Sequence, residues 1–403
     1  MKIVCVGGGP AGLYSAALAR LAAPGDEVVV VERNPPDATH SWGVTFGEDF
    51  LDDLHANDPE SARAIHDAAT VWTEQVVRVA DRAPVHLGGK YGYSLGRARL
   101  LDVLTERCHR LGVRFEFGRE IGSADEVDAD LVIAADGVGS RLRTAHAEHF
   151  GTTLTTGRNR YVWLGTSRIS PVFTFAFEPT PAGWVWFYAY PSTASAGTCI
   201  VECAPRTWTG LGLDTMDPAA GLQMLEGIFD RALEGHRLLS PPDGLGPAPW
   251  RNFREVRNTT WRRGDMVLVG DAAHTTHFGI GSGTVLAVQD AIALAESIRA
   301  CGADLATALP DYDARRRPVL DGVQAMARRS MHWFENVDSE IATGADPVRF
   351  AYSLLGRRGD QAAWQFRLHQ ATQIDGLRRA RRTITAARRS LRGIRRSSSR
   401  SGG

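Results

Sequence analysis

Residues 270–284, GDAAHTTHFGIGSGT, bring together groups that could do chemistry between the apolar run MVLV and a helix-like segment. Asp271 can accept hydrogen bonds from a ligand, and the glycines around it let the backbone approach that ligand closely. His274 and His277 carry rings that could exchange a proton near neutral pH. The pattern therefore predicts a ligand site where a strand meets a helix, and it raises the question whether a histidine acts there.

A second ligand motif begins the chain. The stretch KIVCVGGGPAGLYSAALARLAA has the pattern of a strand, a glycine turn with Gly7, Gly9 and Gly12, and a helix. The next strand, EVVVVE, ends in Glu32, twenty residues beyond Gly12. Such a βαβ unit predicts a dinucleotide whose pyrophosphate meets the helix N-terminus and whose ribose donates hydrogen bonds to Glu32.

Further elements surround these two motifs. Residues 59–83 are predicted to be mostly helical, and the run ADLVIAADGVGSRLR predicts a buried strand that ends at Asp136. Short aromatic and β-branched strands between residues 161 and 203 predict an antiparallel sheet that forms one wall of an apolar pocket. Long helices are expected from Gly283 onward, with breaks near Gly302, Pro310 and Pro318.

The expected fold is α/β: a Rossmann-like dinucleotide domain into which an antiparallel sheet is inserted, followed by helices. We expect the first part of the dinucleotide domain at 1–150, a substrate domain at 151–260 and the second part at 261–330. A helical segment follows at 331–377, and an arginine-rich tail at 378–403. This architecture agrees with a chain of 403 residues, of which 43% are hydrophobic and 23% charged.

Composition adds expectations about compartment and partners. Five cysteines, none in a C-x-x-C pair, predict reduced thiols in a cytoplasmic protein, and no apolar run is long enough to span a membrane. The tail from residue 378 carries ten arginines and no acid or lysine, so residues 1–377 have a net charge of −10 (0 − 10). Either the tail is a solvated helix end and a frayed terminus, or it is an electrostatic tether to a nucleic acid, an acidic partner or the enzyme's own acidic body. Because arginine clusters without interleaved aromatics are weak evidence for nucleic-acid binding, no nucleic acid is expected.

The glycine turn, the pair Asp136-Gly137 and the pair Gly270-Asp271 resemble the FAD-dependent aromatic hydroxylases of the para-hydroxybenzoate hydroxylase type. The stretches HSWGVTF, GDAAHTTHFGIGSGT and TCIVECAPRTW are similar to one subgroup, the salicylyl-CoA 5-hydroxylase and anthraniloyl-CoA hydroxylase type, and to the violacein-pathway hydroxylases. His277 occupies a position where the wider family more often holds proline. The resemblance covers the chain to about residue 380.

The resemblance implies a role for each matched residue. Asp271 would hydrogen-bond the ribityl chain of FAD, and the helix after the glycine turn would face the pyrimidine edge of the flavin. Asp136 would touch both FAD and NAD(P)H, and Arg97 would bind the flavin. The implied FAD contacts are Gly7, Gly9, Pro10, Ala11, Gly12, Glu32, Arg33, Arg97, Asp136, Gly137, Gly270, Asp271, Gly281, Gly283 and Thr284.

The implied reaction uses NADH or NADPH to reduce FAD, after which O2 gives a flavin C4a-hydroperoxide that hydroxylates an electron-rich ring. The expected substrate is an aryl acid tethered to CoA or a carrier, such as salicylyl-CoA, and Arg315, Arg316 and Arg317 are candidates for its phosphates. Candidate catalytic residues are His277, His40 and Trp42. His277 either bonds the substrate or has a structural role, whereas His274 is expected to pack. No metal is required, and the protein is expected to be a monomer or homodimer.

Three alternatives remain open from the sequence. The substrate could be a free indole or another tryptophan-derived aromatic. The enzyme could be a flavin-dependent halogenase, for which Lys90 is the only plausible catalytic lysine, because the chain has just two lysines. A flavoprotein that only binds a partner through its basic tail is the third alternative.

Overall fold

Two large sheets and their helices are built from residues 1–36, 42–88, 91–241, 247–343 and 346–357, the part of the chain that the computed structural model describes. The strands are β1 Lys2–Val6, β2 Glu27–Glu32, β3 Gly43–Phe46, β4 Thr70–Trp72, β5 Glu74–Val79, β6 Val85–Leu87, β7 Gly92–Gly96, β8 Arg114–Phe117, β9 Leu131–Ala134, β10 Thr153–Thr166, β11 Val172–Thr180, β12 Gly183–Pro191, β13 Gly197–Cys203, β14 Leu238–Leu239, β15 Arg251–Arg257, β16 Arg262–Arg263 and β17 Met266–Leu268.

The helices connect and cover these strands. They are α1 Pro10–Ala22, α2 Glu48–Asn57, α3 Pro59–Ala68, α4 Arg97–Arg110, α5 Arg141–Ala145, α6 Ala147–Phe150, α7 Pro205–Gly210, α8 Pro218–Ile228, α9 Asp230–Leu233, α10 Gly283–Ala300, α11 Leu305–Glu335, α12 Val337–Thr343 and α13 Pro347–Gly356. Within the ranges given above, no helix combines the length and the apolar character that crossing a bilayer requires.

The first sheet has the order β16-β17-β9-β1-β2-β8, and all its pairings are parallel except β16 with β17. Its central strands KIVCV, EVVVVE, LVIA and MVL are nearly continuous apolar runs, as expected of parallel strands buried on both faces. Helix α1 packs against both α4 and α10 beside this sheet. The sheet therefore has the Rossmann-like architecture that the sequence predicts.

The second sheet has the order β14-β10-β13-β12-β11-β5-β6, with β15 paired to β10. Its strands alternate between two buried faces. One face packs Val162, Phe187 and Val201 against α8 and α9, in a cluster that includes Leu225 and Phe229. The other face carries most of the aromatic residues, and its far end packs against α11, α12 and α13. A small sheet, β3-β7-β4, lies beside these two.

The prediction that residues 59–83 are mostly helical was wrong in its second half. Helix α3 ends at Ala68, and β4 and β5 follow within the same stretch. Strand β5 is rich in β-branched residues and pairs in parallel with β11, from Val172↔Glu74 to Phe177↔Val79. The second sheet thus takes two strands, β5 and β6, from outside residues 151–260.

The expected breaks at Pro310 and Pro318 were also wrong, because α11 continues through both prolines. A proline inside a helix removes one backbone hydrogen bond and crowds the preceding turn. One side of this helix is buried at Tyr312, Arg316 and Leu320. Tertiary packing along that side therefore outweighs the local cost, and only the break near Gly302 separates α10 from α11.

Candidate active site

A cleft of about 1510 Å³ lies at the carboxyl ends of the parallel strands of the first sheet. Its lining includes Gly7 after β1, Glu32 at the end of β2, Asp136 after β9 and Asp271 after β17. Ligands of open α/β sheets bind at these strand ends. The volume exceeds the ~300–1,000 Å³ of a typical small-molecule pocket, so the cleft has room for a dinucleotide together with a second molecule.

Glycine is required at two positions of the first turn. Gly7 has φ +113°, and a Cβ there would lie 2.3 Å from the carbonyl oxygen of Ala135. A Cβ on Gly12 would lie 2.0 Å from the carbonyl oxygen of Gly7. Gly9, which directly precedes α1, has open space around its Cβ position and lines the cleft with Pro10 and Ala11. This cradle fits a pyrophosphate at the helix N-terminus.

Glu32 shapes the same end of the cleft. Its Oε2 accepts a hydrogen bond from the Gly8 amide at 2.6 Å, and its Oε1 accepts one from the Asn34 amide at 2.8 Å. Arg33 lines the cleft beside it and forms an exposed ion pair with Glu120 at 3.6 Å. Glu32 therefore holds the glycine turn against the end of β2, in the position from which the acid of a βαβ unit reaches a ribose.

Asp136 presents an unsatisfied acceptor in the lining of the cleft. Its Oδ2 accepts hydrogen bonds from the amides of Arg141 at 2.8 Å and Leu142 at 3.4 Å. Its Oδ1 is buried and has no hydrogen-bond partner within the described ranges. Burial raises the pKa of this carboxyl above its ordinary value, against the hydrogen bonds from Ser140 and the backbone. Gly137 follows with φ +82° and turns the chain away from the strand.

Asp271 and Arg97 form the charged centre of the cleft. Burial raises the pKa of Asp271, while the nearby His274 and Arg97 lower it. Burial likewise lowers the pKa of Arg97, and the charge of Asp271 opposes that shift. No described residue donates a hydrogen bond to the Asp271 carboxylate, which lines the cleft, so its oxygens are available to a ligand hydroxyl.

The turn between β17 and α10 is shaped by two glycines with positive φ. Gly270 has φ +60°, its amide donates to Asp290 Oδ2 at 2.9 Å, and a Cβ there would lie 2.9 Å from the Cβ of Ala11. Gly281 has φ +65° and precedes α10, whose first residues Gly283 and Thr284 line the cleft. The amino end of an 18-residue helix thus faces the space beside Asp271, where it favours negative charge.

The lining of the cleft matches the shape and the hydrogen-bonding groups of FAD. At Gly7, Gly12 and Gly270 a side chain would clash with the chain that forms the cradle. Asp136 Oδ1 and the Asp271 carboxylate offer acceptors to which no described residue donates a hydrogen bond. Gly12 and Gly270 support the cradle from behind, whereas every other expected FAD contact lies on the cleft lining. The residues present therefore fit the group, and the individual contacts to it stay predictions.

The contacts of His277 favour the structural role that the sequence left open. The ring is buried, and its Nδ1 accepts a hydrogen bond from the Gly279 amide at 3.2 Å. Phe253, Phe278 and Phe334 surround it, and it does not belong to the described lining of the cleft. Burial, aided by the positive charge of Arg357, lowers the pKa of His277 to about 3, so the ring is neutral near pH 7.

The other aromatic candidates have similar positions away from the cleft. The Trp42 ring packs on Gly165, where a Cβ would lie 2.6 Å from it, and the ring is not on the described lining. His274 is buried and bonds Asp290 Oδ2 through Nε2 at 2.6 Å, as the expected packing residue. His40 and Lys90 lie outside the described residues.

The second half of the cleft is an aromatic wall on one face of the second sheet. Strand pairing sets its composition: Trp163 lies opposite Ile200, Ile200 opposite Tyr188, and Tyr188 opposite Phe175. Side chains directly opposite each other share a face. The wall consists of Tyr161, Trp163, Phe173, Phe175, Tyr188, Tyr190 and Ile200. This arrangement can hold a flat aromatic ring and keep water from it.

Sequence reasoning missed the cations beside this wall. Arg251 and Arg254, both on β15, are exposed and line the cleft, and neither forms an ion pair with any carboxylate of the described residues. The stretch RNFREVR, whose apolar residues Phe253 and Val256 lie three apart, lacks the alternation that marks a strand. It could not have shown that this strand borders the cleft, because that depends on its pairing with β10.

A Rossmann-like sheet, a glycine cradle and an aromatic wall in one cleft define a dinucleotide-binding enzyme that acts on an aromatic molecule. Residues 118–328 match the family described as FAD binding domain, and residues 2–147 match the one described as lycopene cyclase protein. The second match covers the glycine turn and the strands around it.

Characterised relatives narrow the class. Salicyloyl-CoA 5-hydroxylase of a Streptomyces species is 37% identical over 89% of this chain and 70% of its own length. The 3-hydroxy-4-methyl-anthranilyl-(aryl-carrier protein) 5-monooxygenase of Streptosporangium sibiricum is 34% identical over 91% and 96%. Protodeoxyviolaceinate monooxygenase of Chromobacterium violaceum is 31% identical over 89% and 95%. The chain belongs to the FAD-dependent aromatic hydroxylases.

Solved structures agree on the fold. The tetrameric form of 2-methyl-3-hydroxypyridine-5-carboxylic acid oxygenase has a TM-score of 0.67 at 19% identity, covering 89% of this chain and 95% of that one. The p-nitrophenol 4-monooxygenase PnpA from Pseudomonas putida has a TM-score of 0.68 at 19% identity, covering 89% and 98%. The expected family, fold class and use of FAD, NAD(P)H and O2 are confirmed, and a halogenase is not favoured.

When bound, FAD would supply the redox chemistry, namely electron transfer from NAD(P)H and the activation of O2. The chain's own residues would bind the cofactor and the substrate and shape the environment around them. The glycine cradle and Asp271 are placed where they would hold and orient the cofactor, the amino end of α10 would favour negative charge beside it, and the aromatic wall would keep water from a bound ring.

Proposed function

We propose that this enzyme hydroxylates an electron-rich aromatic ring whose acid group is tethered as a thioester to coenzyme A or to a carrier protein. Arg251 and Arg254 carry the proposal, because they put two cations without carboxylate partners among the described residues next to the aromatic wall. The phosphates of coenzyme A, or of the phosphopantetheine arm of a carrier protein, are anions of the kind that arginine binds. Two relatives named for a CoA-linked and a carrier-linked aryl substrate support the same substrate class.

The arginines first considered for the phosphates are occupied elsewhere. Arg316 is buried and its Nε donates to Asp290 Oδ1 at 2.7 Å, which ties α11 to α10. Arg315 pairs with Asp311 at 3.3 Å, and Arg317 pairs with Asp313 at 3.1 Å. None of the three belongs to the described cleft lining. The expectation that they bind CoA phosphates is therefore replaced by the pair on β15.

A panel of substrates tests this proposal. Substrate-stimulated NAD(P)H oxidation is measured with free aryl acids, their CoA thioesters and tryptophan. We expect the thioesters to stimulate the rate most strongly. Replacing both Arg251 and Arg254 by glutamine should raise their KM about 10-fold, because each exposed charged contact contributes about 0.7 kcal/mol and the loss of both costs about 1.4 kcal/mol.

Arg257 supplies the matched control. It lies on the same strand, is exposed, pairs with Asp321 at 3.7 Å and does not belong to the described lining. Arg257→Gln is expected to leave the KM for the thioesters unchanged. Stimulation by free acids alone, or an equal effect of Arg257→Gln, would contradict the tethered substrate.

A second candidate is a free indole or tryptophan-derived aromatic. The comparisons do not favour it over the tethered acid, but a wall made almost wholly of aromatic side chains would also hold an indole, and one relative is named protodeoxyviolaceinate monooxygenase. Stimulation by tryptophan or an indole without any thioester, at a rate that does not change when Arg251 and Arg254 are replaced, would favour this substrate class.

A cytoplasmic location belongs to the proposal as well, since all five cysteines are free thiols and four of them are buried.

A further inference from the structure

Glu202 is a buried carboxylate next to the aromatic wall, in contact with Tyr188. In β13 it lies opposite Tyr161 of β10 and opposite Trp186 of β12. It therefore faces the same side of the sheet as the residues of the wall. The side chain is 1% exposed, and no cation of the described residues forms an ion pair with it. Burying an acid without a counter-ion costs folding free energy, which indicates that Glu202 has a function.

Two hydrogen bonds hold the carboxylate in place. The hydroxyl of Tyr188 donates to Oε2, and the amide of Asn159 donates to Oε1 at 2.7 Å. The Tyr188 ring is part of the cleft lining and lies 5.9 Å from the ring of Phe278, in the loop that follows Asp271. Tyr188 thus connects the interior carboxylate with the space in which the substrate ring is expected to bind.

The surroundings of Glu202 bring its titration near neutral pH. Burial raises its pKa to about 7, against the hydrogen bonds from Tyr188 and Asn159, and the negative charge of Glu335 on α11 adds to the rise. The other titratable groups here are Tyr161 on β10 and Arg357 after α13, which act on Tyr188. A carboxylate with this pKa can accept a proton near pH 7 and later release it.

We propose that Glu202, acting through Tyr188, accepts the proton that a hydroxyl on the substrate ring must lose for that ring to become more electron-rich. The proposal rests on the proposed function, because it requires an aromatic substrate that carries such a hydroxyl. Glu202 is a positioning residue in this scheme, since only Tyr188 reaches the cleft.

The transfer balances without any further reactant. The substrate O–H bond breaks and its proton binds the Tyr188 oxygen, while the Tyr188 proton passes to Oε2 of Glu202. The substrate becomes a phenolate, Glu202 becomes a neutral acid, and no electrons are exchanged. After hydroxylation the same two hydrogen bonds, used in reverse, return the proton to the product hydroxyl. Ionisation of a phenol increases the electron density of its ring, which favours attack by an electrophilic oxygen.

The pH dependence of kcat tests this role with the holoenzyme and the phenolic substrate that stimulates it most. For the wild type, kcat is expected to rise about 10-fold between pH 6 and pH 8, as Glu202 with a pKa of about 7 becomes ionised. Glu202→Gln should lower kcat about a hundredfold and abolish this rise. Tyr188→Phe should do the same, and it keeps the test valid if the glutamine variant fails to fold.

A spectrum separates proton transfer from a merely structural effect. Difference absorbance of the bound substrate, recorded without NAD(P)H, should show a small phenolate fraction that grows as the pH rises through 7 in the wild type but not in either variant. The fraction is small because a phenol, with a pKa of about 10, is a weaker acid than protonated Glu202. Glu178→Gln is the matched control: this buried carboxylate on β11 has a pKa raised by burial but bonds Arg231 at 2.7 Å. The control should keep the wild-type profile and spectrum.

The outcomes distinguish this inference from the proposed function. If thioesters stimulate NAD(P)H oxidation but Glu202→Gln keeps both the rise between pH 6 and 8 and the phenolate spectrum, the proton-transfer role is wrong and the substrate class stands. If free phenolic acids alone stimulate the enzyme and Glu202→Gln abolishes their pH-dependent rise, the tethered substrate is wrong and the proton-transfer role stands.

Discussion

Gly12→Ala is expected to yield a protein that contains no FAD and unfolds at a lower temperature than the wild type. A Cβ at this position would lie 2.0 Å from the carbonyl oxygen of Gly7, which is part of the backbone and cannot rotate away. Helix α1 would have to move from the turn that it shares with β1. Overpacking of this kind costs about 1–3 kcal/mol, and here it also displaces the amides that would meet the pyrophosphate.

Absorbance at the flavin bands and thermal unfolding of the same preparations measure both effects. Gly25→Ala is the control, because Gly25 lies between α1 and β2 and a Cβ there meets no atom within 4 Å. The control should bind FAD fully and unfold at the wild-type temperature. A fully flavinylated Gly12→Ala protein of unchanged stability would disprove the steric account of this turn.

Asp271→Ala is expected to weaken FAD binding about 30-fold. The carboxylate lines the cleft and receives no hydrogen bond from any described residue, so a bound ribityl hydroxyl would be its main partner. A hydrogen bond to a charged group contributes about 1.5–3 kcal/mol, and about 2 kcal/mol corresponds to this factor. Titration of the apoprotein with FAD, followed by flavin fluorescence, gives the dissociation constant.

Asp271→Asn separates the hydrogen bond from the charge. The amide oxygen keeps an acceptor of the same size, so this variant should lose less affinity than the alanine variant. Both apoproteins should unfold at about the wild-type temperature, because the Asp271 side chain is exposed to the cleft and no described residue donates a hydrogen bond to it. An alanine variant with wild-type affinity for FAD would contradict the ribityl assignment.

Much of the cofactor half of the cleft could be predicted from sequence. Gly7, Glu32, Asp136 and Asp271 each follow or end a short apolar strand, and parallel strands present their carboxyl ends at one edge. Local pattern therefore determines where these residues meet. The resemblance to a known family added Arg97, whose position next to Asp271 no local pattern indicates.

The substrate half could not be predicted to the same depth, because it depends on pairing between distant strands. Glu202 interrupts the apolar strand TCIVECA, which marks it as unusual, but only the register with β10 and β12 shows that it lies next to Tyr188. Strand β5 joins the second sheet through a partner about a hundred residues away. The orientation of His277 depends on the 3₁₀ turn at Phe278–Ile280, which its own ring helps to form.

Incorporation of labelled oxygen tests the central claim most directly. The wild-type enzyme, loaded with FAD, is given NAD(P)H, ¹⁸O2 and the thioester that stimulates NAD(P)H oxidation most, and the product is analysed by mass spectrometry. An aromatic hydroxylase working in this cleft must place one ¹⁸O atom on the ring of the tethered acid. A product without ¹⁸O on its ring, or NAD(P)H oxidation that no aromatic compound in the panel stimulates, would contradict the account.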